Sequence, residues 1–214
     1  CSSDLAISNT ALLTCQSSKF VDNSTNNYTL TLGGTPLIQT QNPFGLNSGQ
    51  SYYFDGTGDW LYANSTQSQI TTQFFTGDYT VEYWVYPGSY TTAATHTQIG
   101  NLKANTTAST GATTVYGGTS GTTLLVTGGA ITGNAWSHVA VTRQSGVGTT
   151  LWINGTRSGA VAVDSASYAN STVYLGVTSA GTFPFLGYIS DYRITNGYAR
   201  YTANNTTYLS GPYI

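Results

Sequence analysis

The chain has 214 residues, a formal net charge of −2 and charged side chains at 7% of positions. Six Lys and Arg over that length cannot neutralise a row of phosphates, which excludes nucleic acid as a partner, and no apolar run reaches the ~18 residues of a membrane-spanning helix. Hydrophobic residues at 39%, including 17 Tyr, 7 Phe and 4 Trp, supply a sizeable core, while the abundant Thr, Ser, Gly and Asn favour strands and turns over helices.

In chain order, residues 1–20 read as an N-terminal arm or extra edge strand, because SSDLAISNTALL alternates only weakly. Residues 21–214 read as one β-sandwich domain, with no composition break that would mark a linker. The arm is expected to be dispensable for folding and needed for assembly. The chain begins at Cys1 and contains no Met, so a processed product of a secreted precursor is expected. Cys1 and Cys15 fit a disulfide in an oxidising compartment, worth roughly 3 kcal/mol for so short a loop. The alternative is a lipidated Cys1, followed by Ser2 and Ser3, with Cys15 left free.

The loop FVDNSTNN then brings Asp22, Asn23, Ser24 and Asn26 close together. These are hard oxygen donors of the kind a structural Ca²⁺ takes, and equally turn formers that bond their own backbone. Period-2 alternation follows in YTLTL (28–32), SYYF (51–54), DWLYA (59–63), YTVEYWVY (79–86), TTLLVTG (122–128), WSHVAVTR (136–143), TTLWI (149–153), TVYLGV (172–177) and LGYISDYRI (186–194). In YTVEYWVY, Val81, Tyr83 and Val85 share one face, and Glu82, Trp84 and Tyr86 the other. Residues 87–121, poor in large apolar side chains, read as long loops with one or two short strands. Asn154-Gly155 predicts a type I′ hairpin turn.

Eight Asn-x-Ser/Thr sequons occur. Asn23, Asn27, Asn64, Asn105, Asn170, Asn204 and Asn205 suit a glycosylated extracellular surface, and Asn154 suits a turn. Catalysis finds little support. Glu82 is the single glutamate, and the nearest carboxylate along its strand, Asp78, is four steps or about 13 Å away. That exceeds the roughly 5–9.5 Å that glycoside hydrolysis requires. Asp55 and Asp59 flank a Gly-Thr-Gly turn, and His96 and His138, the two imidazoles, sit in no triad spacing. Trp60, Trp84, Trp136 and Trp152 lie in strands and read mainly as core, whereas Tyr90, Tyr116, Tyr168 and Tyr198 fall in or near loops and are candidates for stacking on sugar rings.

Five phrases occur in register: FGLNSGQSYYFDGTGDWLYA, FTGDYTVEYWVYPGS, NAWSHVAVTR, LWINGTRSG and VYLGVTSAGTFPFLGYISDYRITNGYARYTAN. Over about residues 20–214 the chain resembles the laminin-G-like, concanavalin-type jelly rolls of phage, viral and bacterial surface proteins. The resemblance implies an all-β fold, a two-sheet antiparallel jelly-roll sandwich. It implies that Asp191 and Arg193 lie in the last long strand among buried aromatics, pairing with the chain or, for Asp191 with the Asp22 loop, with Ca²⁺. Two roles are expected: a self-assembling subunit of a fibre, appendage or virion, with copies of itself or other surface proteins as partners, or a lectin-like module that binds glycans.

Overall fold

The computed structural model describes residues 9–45, 49–63, 77–168, 172–204 and 211–213. Among them, strands follow one another in chain order as β1 (Thr10–Thr14), β2 (Leu30–Gly33), β3 (Leu37–Gln39), β4 (Ser51–Asp55), β5 (Trp60–Ala63), β6 (Tyr79–Pro87), β7 (Ala94–Ile99) and β8 (Leu102–Thr106). They continue as β9 (Ala112–Gly117), β10 (Thr123–Ala130), β11 (Ser137–Gln144), β12 (Gly148–Ile153), β13 (Thr156–Arg157), β14 (Val173–Leu175) and β15 (Leu186–Asn196). Sheet A runs β13-β12-β11-β6-β15-β4-β3, with β1 also on β15, and sheet B runs β10-β9-β8-β7-β14-β5-β2. All pairings are antiparallel.

β6 shows how the sequence makes the core. Tyr79, Val81, Tyr83 and Val85 are fully buried between the sheets, while the alternate residues Glu82, Trp84 and Tyr86 take the outer face of sheet A. Val139, Val141 and Leu151 of the same sheet join them against Leu61, Val115, Val173 and Leu175 of sheet B in one cluster. Full burial of each large apolar side chain stabilises by about 1.5–3 kcal/mol. The polar groups within this core satisfy one another: Tyr83 Oη meets His96 Nδ1 at 3.0 Å, and Thr97 Oγ1 meets Tyr192 Oη at 2.8 Å.

β15 departs from simple alternation. It pairs Ser190 with Trp84 and then Arg193 with Glu82, so one extra residue is inserted, and Asp191 takes a left-handed φ of 53° at this bulge. The insertion inverts the faces downstream. Tyr192 and Ile194 enter the core, while Arg193 is placed beside Glu82 on the outer face.

Within the N-terminal segment, residues 10–14 take the second of the two forms expected, an extra strand: β1 pairs along β15 from Thr10 to Thr14, all five of its residues are buried, and Ala11, Leu12 and Cys15 belong to the core cluster. One expectation is corrected. Residues 87–121 are not mainly loops, because β7, β8 and β9 lie there. Their Thr and Ala side chains fill the interior at positions where Leu or Val would have marked the strands. The hairpin forms as expected: Asn154 and Gly155 have φ of 50° and 72°, and Asn154 Oδ1 also accepts the His138 N–H at 2.8 Å.

Candidate functional site

Glu82, Arg193 and Arg200 meet on the outer face of sheet A. Glu82 is fully buried there, and Arg193 Nε donates to its Oε1 at 2.9 Å, with Arg200 Nε at 3.5 Å from the same oxygen. Tyr201 Oη donates to Oε2 at 2.6 Å, and His138 Nε2 stands 3.6 Å from Oε2. Burial alone would push the Glu82 carboxyl up, but Arg193, His138 and Arg200 outweigh it and hold the group far below the usual carboxylate range. The C-terminal segment roofs the cluster: the Tyr213 ring lies 3.8 Å from the Arg193 guanidinium carbon, Tyr213 Oη meets His138 Nε2 at 2.6 Å, and Tyr213 N donates to Asp191 Oδ2 at 2.7 Å. Asp191 therefore fastens the roof, while Arg193 pairs with Glu82. Burial raises the Asp191 carboxyl to about 7, against the lowering effect of the Tyr213 N–H and Arg193. Among the described residues, the Glu82 carboxylate is thus enclosed by two arginines and a tyrosine beneath the Tyr213 ring, and its bonds are made to the chain itself.

The remaining titratable candidates also serve the chain. Asp22 accepts hydrogen bonds from Leu13 N, Ser24 N, Ser24 Oγ and Tyr28 N at 2.8–3.0 Å. Asn26 Nδ2 donates to Ala11 O, and Asn23 is exposed. A cation needs free lone pairs on converging oxygens. Those of Asp22 face N–H and O–H donors, Asp191 holds Tyr213, and no group of three His, Cys, Asp or Glu that could hold a metal occurs among the described residues. The donor set does not fit Ca²⁺. Asp59 accepts from Thr35 N and Asp55 N, and Asp55 from Thr57, which makes them turn builders. His96 is buried in the core and lowered to about 3 by that burial. Cys15 is a free thiol, fully buried and raised by desolvation and by Asp191; Cys1 lies outside the described residues.

Of the sequons, Asn23, Asn27 and Asn204 are exposed, Asn105 is half-buried in β8, and Asn64, Asn170 and Asn205 lie outside the described residues. The four tyrosines separate. Tyr168 is 1% exposed, with its hydroxyl bonded to Asp164 and accepting from Gly118 N, so it offers no ring face to a sugar and is corrected. Tyr90 is half-buried and donates to Ile131 O. Tyr198 is 56% exposed, and Tyr116 stands half-exposed in β9, not in a loop. Of the four tryptophans, Trp152 alone is fully buried; Trp60, Trp84 and Trp136 are half-buried on the outer faces.

Three aromatic surfaces result, one of them Trp60, Tyr62 and Tyr174 on the outer face of β5 and β14, where Trp60 and Tyr62 stack on each other at 5.2 Å and 27°. On sheet A, Tyr53, Tyr188, Tyr86 and Trp136 line up across four neighbouring strands or their ends, but Tyr86 meets Trp136 and Tyr188 edge-on at 62° and 84°. Such contacts turn ring faces toward neighbouring rings and leave edges outward. On sheet B, a groove of about 310 Å³ is lined by Lys103 and Asn105 of β8, Thr114 and Tyr116 of β9, and Phe183. Phe183 is 52% exposed and held at a φ of 56°, its carbonyl accepting from Thr95 N at 2.9 Å. A left-handed bulky residue costs about 1–2 kcal/mol, and such strain clusters at binding sites. Lys103 Nζ lies 5.6 Å from the Tyr116 ring centroid, and Asn105 Oδ1 is buried without a hydrogen-bond partner. Neither Lys103 nor Phe183 is singled out by the sequence reading. The available signal is that Lys103 is the one charged residue between Glu82 and Arg143.

Residues 55–200 match a laminin-G-type family model described as the concanavalin A-like lectin/glucanases superfamily. No curated protein matches the sequence. Among solved structures, the binding domain of botulinum neurotoxin DC in complex with rat synaptotagmin II aligns at 12% identity and a TM-score of 0.64, covering 88% of this chain and 48% of that one. A botulinum neurotoxin type C structure, titled for cell entry dependent on two ganglioside molecules, aligns at 13% identity and 0.64, with the same coverage. The neurotoxin DC binding domain in complex with SialylT aligns at 12% and 0.60, covering 88% and 47%. The chain thus spans about half the length of these structures, and at such identities the likeness is one of fold.

Proposed function

The chain belongs to the concanavalin A-like lectin/glucanases superfamily, and on that premise we propose that it is a non-catalytic carbohydrate-recognition module of an extracellular or surface protein. The observation that carries this reading is the groove on sheet B, where Phe183 is held exposed in a strained backbone beside the half-exposed Tyr116 ring. The C–H face of a pyranose packs on an aromatic ring, and the Thr114 and Asn105 side chains supply partners for its hydroxyls. A volume of about 310 Å³ is at the lower end for a ligand site and suits one or two sugar rings. The neurotoxin domains named above are titled with SialylT and gangliosides, which supports a glycan as ligand through likeness of fold alone.

Self-assembly into a fibre is a second reading. It draws on the low charge and on β10, an eight-residue strand at the edge of sheet B whose exposed positions include Leu124 at 49%. Its other support, a free arm, is lost for residues 10–14, which are inside sheet A. A glycan array separates the readings. The native chain is expected to bind a defined set of glycans as a monomer by light scattering, Tyr116→Ala to lose that binding, and Tyr86→Ala on sheet A to keep it. Regular polymers without glycan binding would favour the fibre.

A further inference from the structure

We infer that the sheet B groove selects acidic glycans, with Lys103 as the residue that receives a sugar carboxylate; this rests on the carbohydrate-recognition reading and specifies its substrate class. The seven strands of sheet B contain no Asp or Glu, and Lys103 is their single formal charge, since His96 is buried in the core as the neutral imidazole. The recorded ion pairs among the described residues all converge on Glu82, on the other sheet. Arg193 and Arg200 belong to that cluster, and Arg143 is buried against Tyr79 with its Nε on Gly77 O. Of the other two cations, Lys19 lies before β2 outside the strands, and Arg157 of β13 lines a pocket at the edge of sheet A, the sheet that carries Glu82. Lys103 is thus the cation that stands in a groove on a sheet whose strands hold no carboxylate.

Local geometry prepares that cation for a ligand. Its Nζ stands 5.6 Å from the Tyr116 centroid, a cation–π contact worth about 0.5–1 kcal/mol at an exposed site, which holds the long side chain in place while leaving its N–H donors to the groove. Asn105, two residues along β8, pairs across the sheet with Thr114, and its buried Oδ1 lacks a donor. A buried acceptor without a partner is costly, which leaves the Asn105 side chain poised to turn toward a donor. The groove thus offers a cation for one negative charge, the polar side chains of Asn105 and Thr114 on its lining, and ring surface at Tyr116 and Phe183. A hexuronate or a sialate carries all three matching features; a neutral hexose leaves Lys103 unanswered.

Isothermal titration of the whole chain with 3′-sialyllactose and a galacturonate trisaccharide, beside lactose and a galactose trisaccharide, tests this. At least one acidic sugar is expected to bind about tenfold or more tighter than its neutral counterpart, the worth of one charge-assisted hydrogen bond. Which of the two does so distinguishes a sialate from a uronate. The acidic-over-neutral ratio should collapse toward one in Lys103→Gln and persist in Lys103→Arg. Equal binding of acidic and neutral sugars, or an unchanged ratio in Lys103→Gln, overturns the inference even where Tyr116→Ala abolishes binding and the broader reading stands. Absence of binding to all four sugars and across the glycan array overturns both.

Discussion

On the outer face of sheet A, Glu82, Arg193, Arg200 and His138 lie beneath Tyr201 and Tyr213, whereas on the outer face of sheet B Lys103 stands in an open groove beside Tyr116. Both faces belong to one sandwich with a common core, so the difference is in what covers them. Where the chain's own end supplies a roof, ionised groups are enclosed with partners and fix the packing of β6, β11, β15 and the C-terminal segment. Where none of the described residues roofs the sheet, a charge and a strained aromatic remain available to something outside the chain.

The largest way to break this contrast is Glu82→Gln. Removing one partner of a buried ionic cluster leaves the others uncompensated, and a loss of about 3–5 kcal/mol in stability is expected by urea denaturation. A loss under about 1 kcal/mol would show that the cluster is not the anchor of that face.

A smaller effect is expected from Asp191→Asn, read as stability against pH. The folded carboxyl, raised to about 7, keeps its proton where the unfolded one, at 3.8, has released it. Its contribution is therefore fully present below 3.8, declines as pH rises and is gone above about 7. His96, lowered to about 3 from 6.5, contributes the opposite slope, since its unfolded form takes up a proton first as pH falls. The difference between wild type and Asp191→Asn isolates the first term: the variant should gain about 3 kcal/mol relative to wild type between pH 4 and 7. Asn tolerates the left-handed backbone at this bulge, so the substitution adds no strain of its own. A difference that stays flat with pH would place Asp191 outside this account.

The sequence carried the long, strongly alternating strands well. β6 and β11 announce themselves by large side chains at every second position, and Asn154-Gly155 by its turn chemistry. The bulge in β15 was not legible, because LGYISDYRI alternates as a straight strand would and the extra residue appears only when it is paired with β6. That one insertion decides that Arg193, and not Tyr192, meets Glu82. β7, β8 and β9 were hidden because Thr can face either a core or solvent, so period 2 leaves little trace in polarity. The site suffers from the same ambiguity. Tyr116 was visible as a candidate, but its neighbours Lys103, Asn105 and Thr114 come from strands that the pattern did not mark, and the left-handed backbone at Phe183 has no local signature. Tyr168 misled because a residue outside the strands can still be buried by a hydroxyl that bonds Asp164.

The most direct test of the account is to titrate the isotope-labelled chain with a glycan that binds it and to map backbone amide shifts. Perturbations should cluster at Lys103, Asn105, Thr114, Tyr116 and Phe183 and leave Tyr53, Tyr86 and Tyr188 in place. Shifts centred on the aromatic row of sheet A, with the sheet B groove silent, would contradict it.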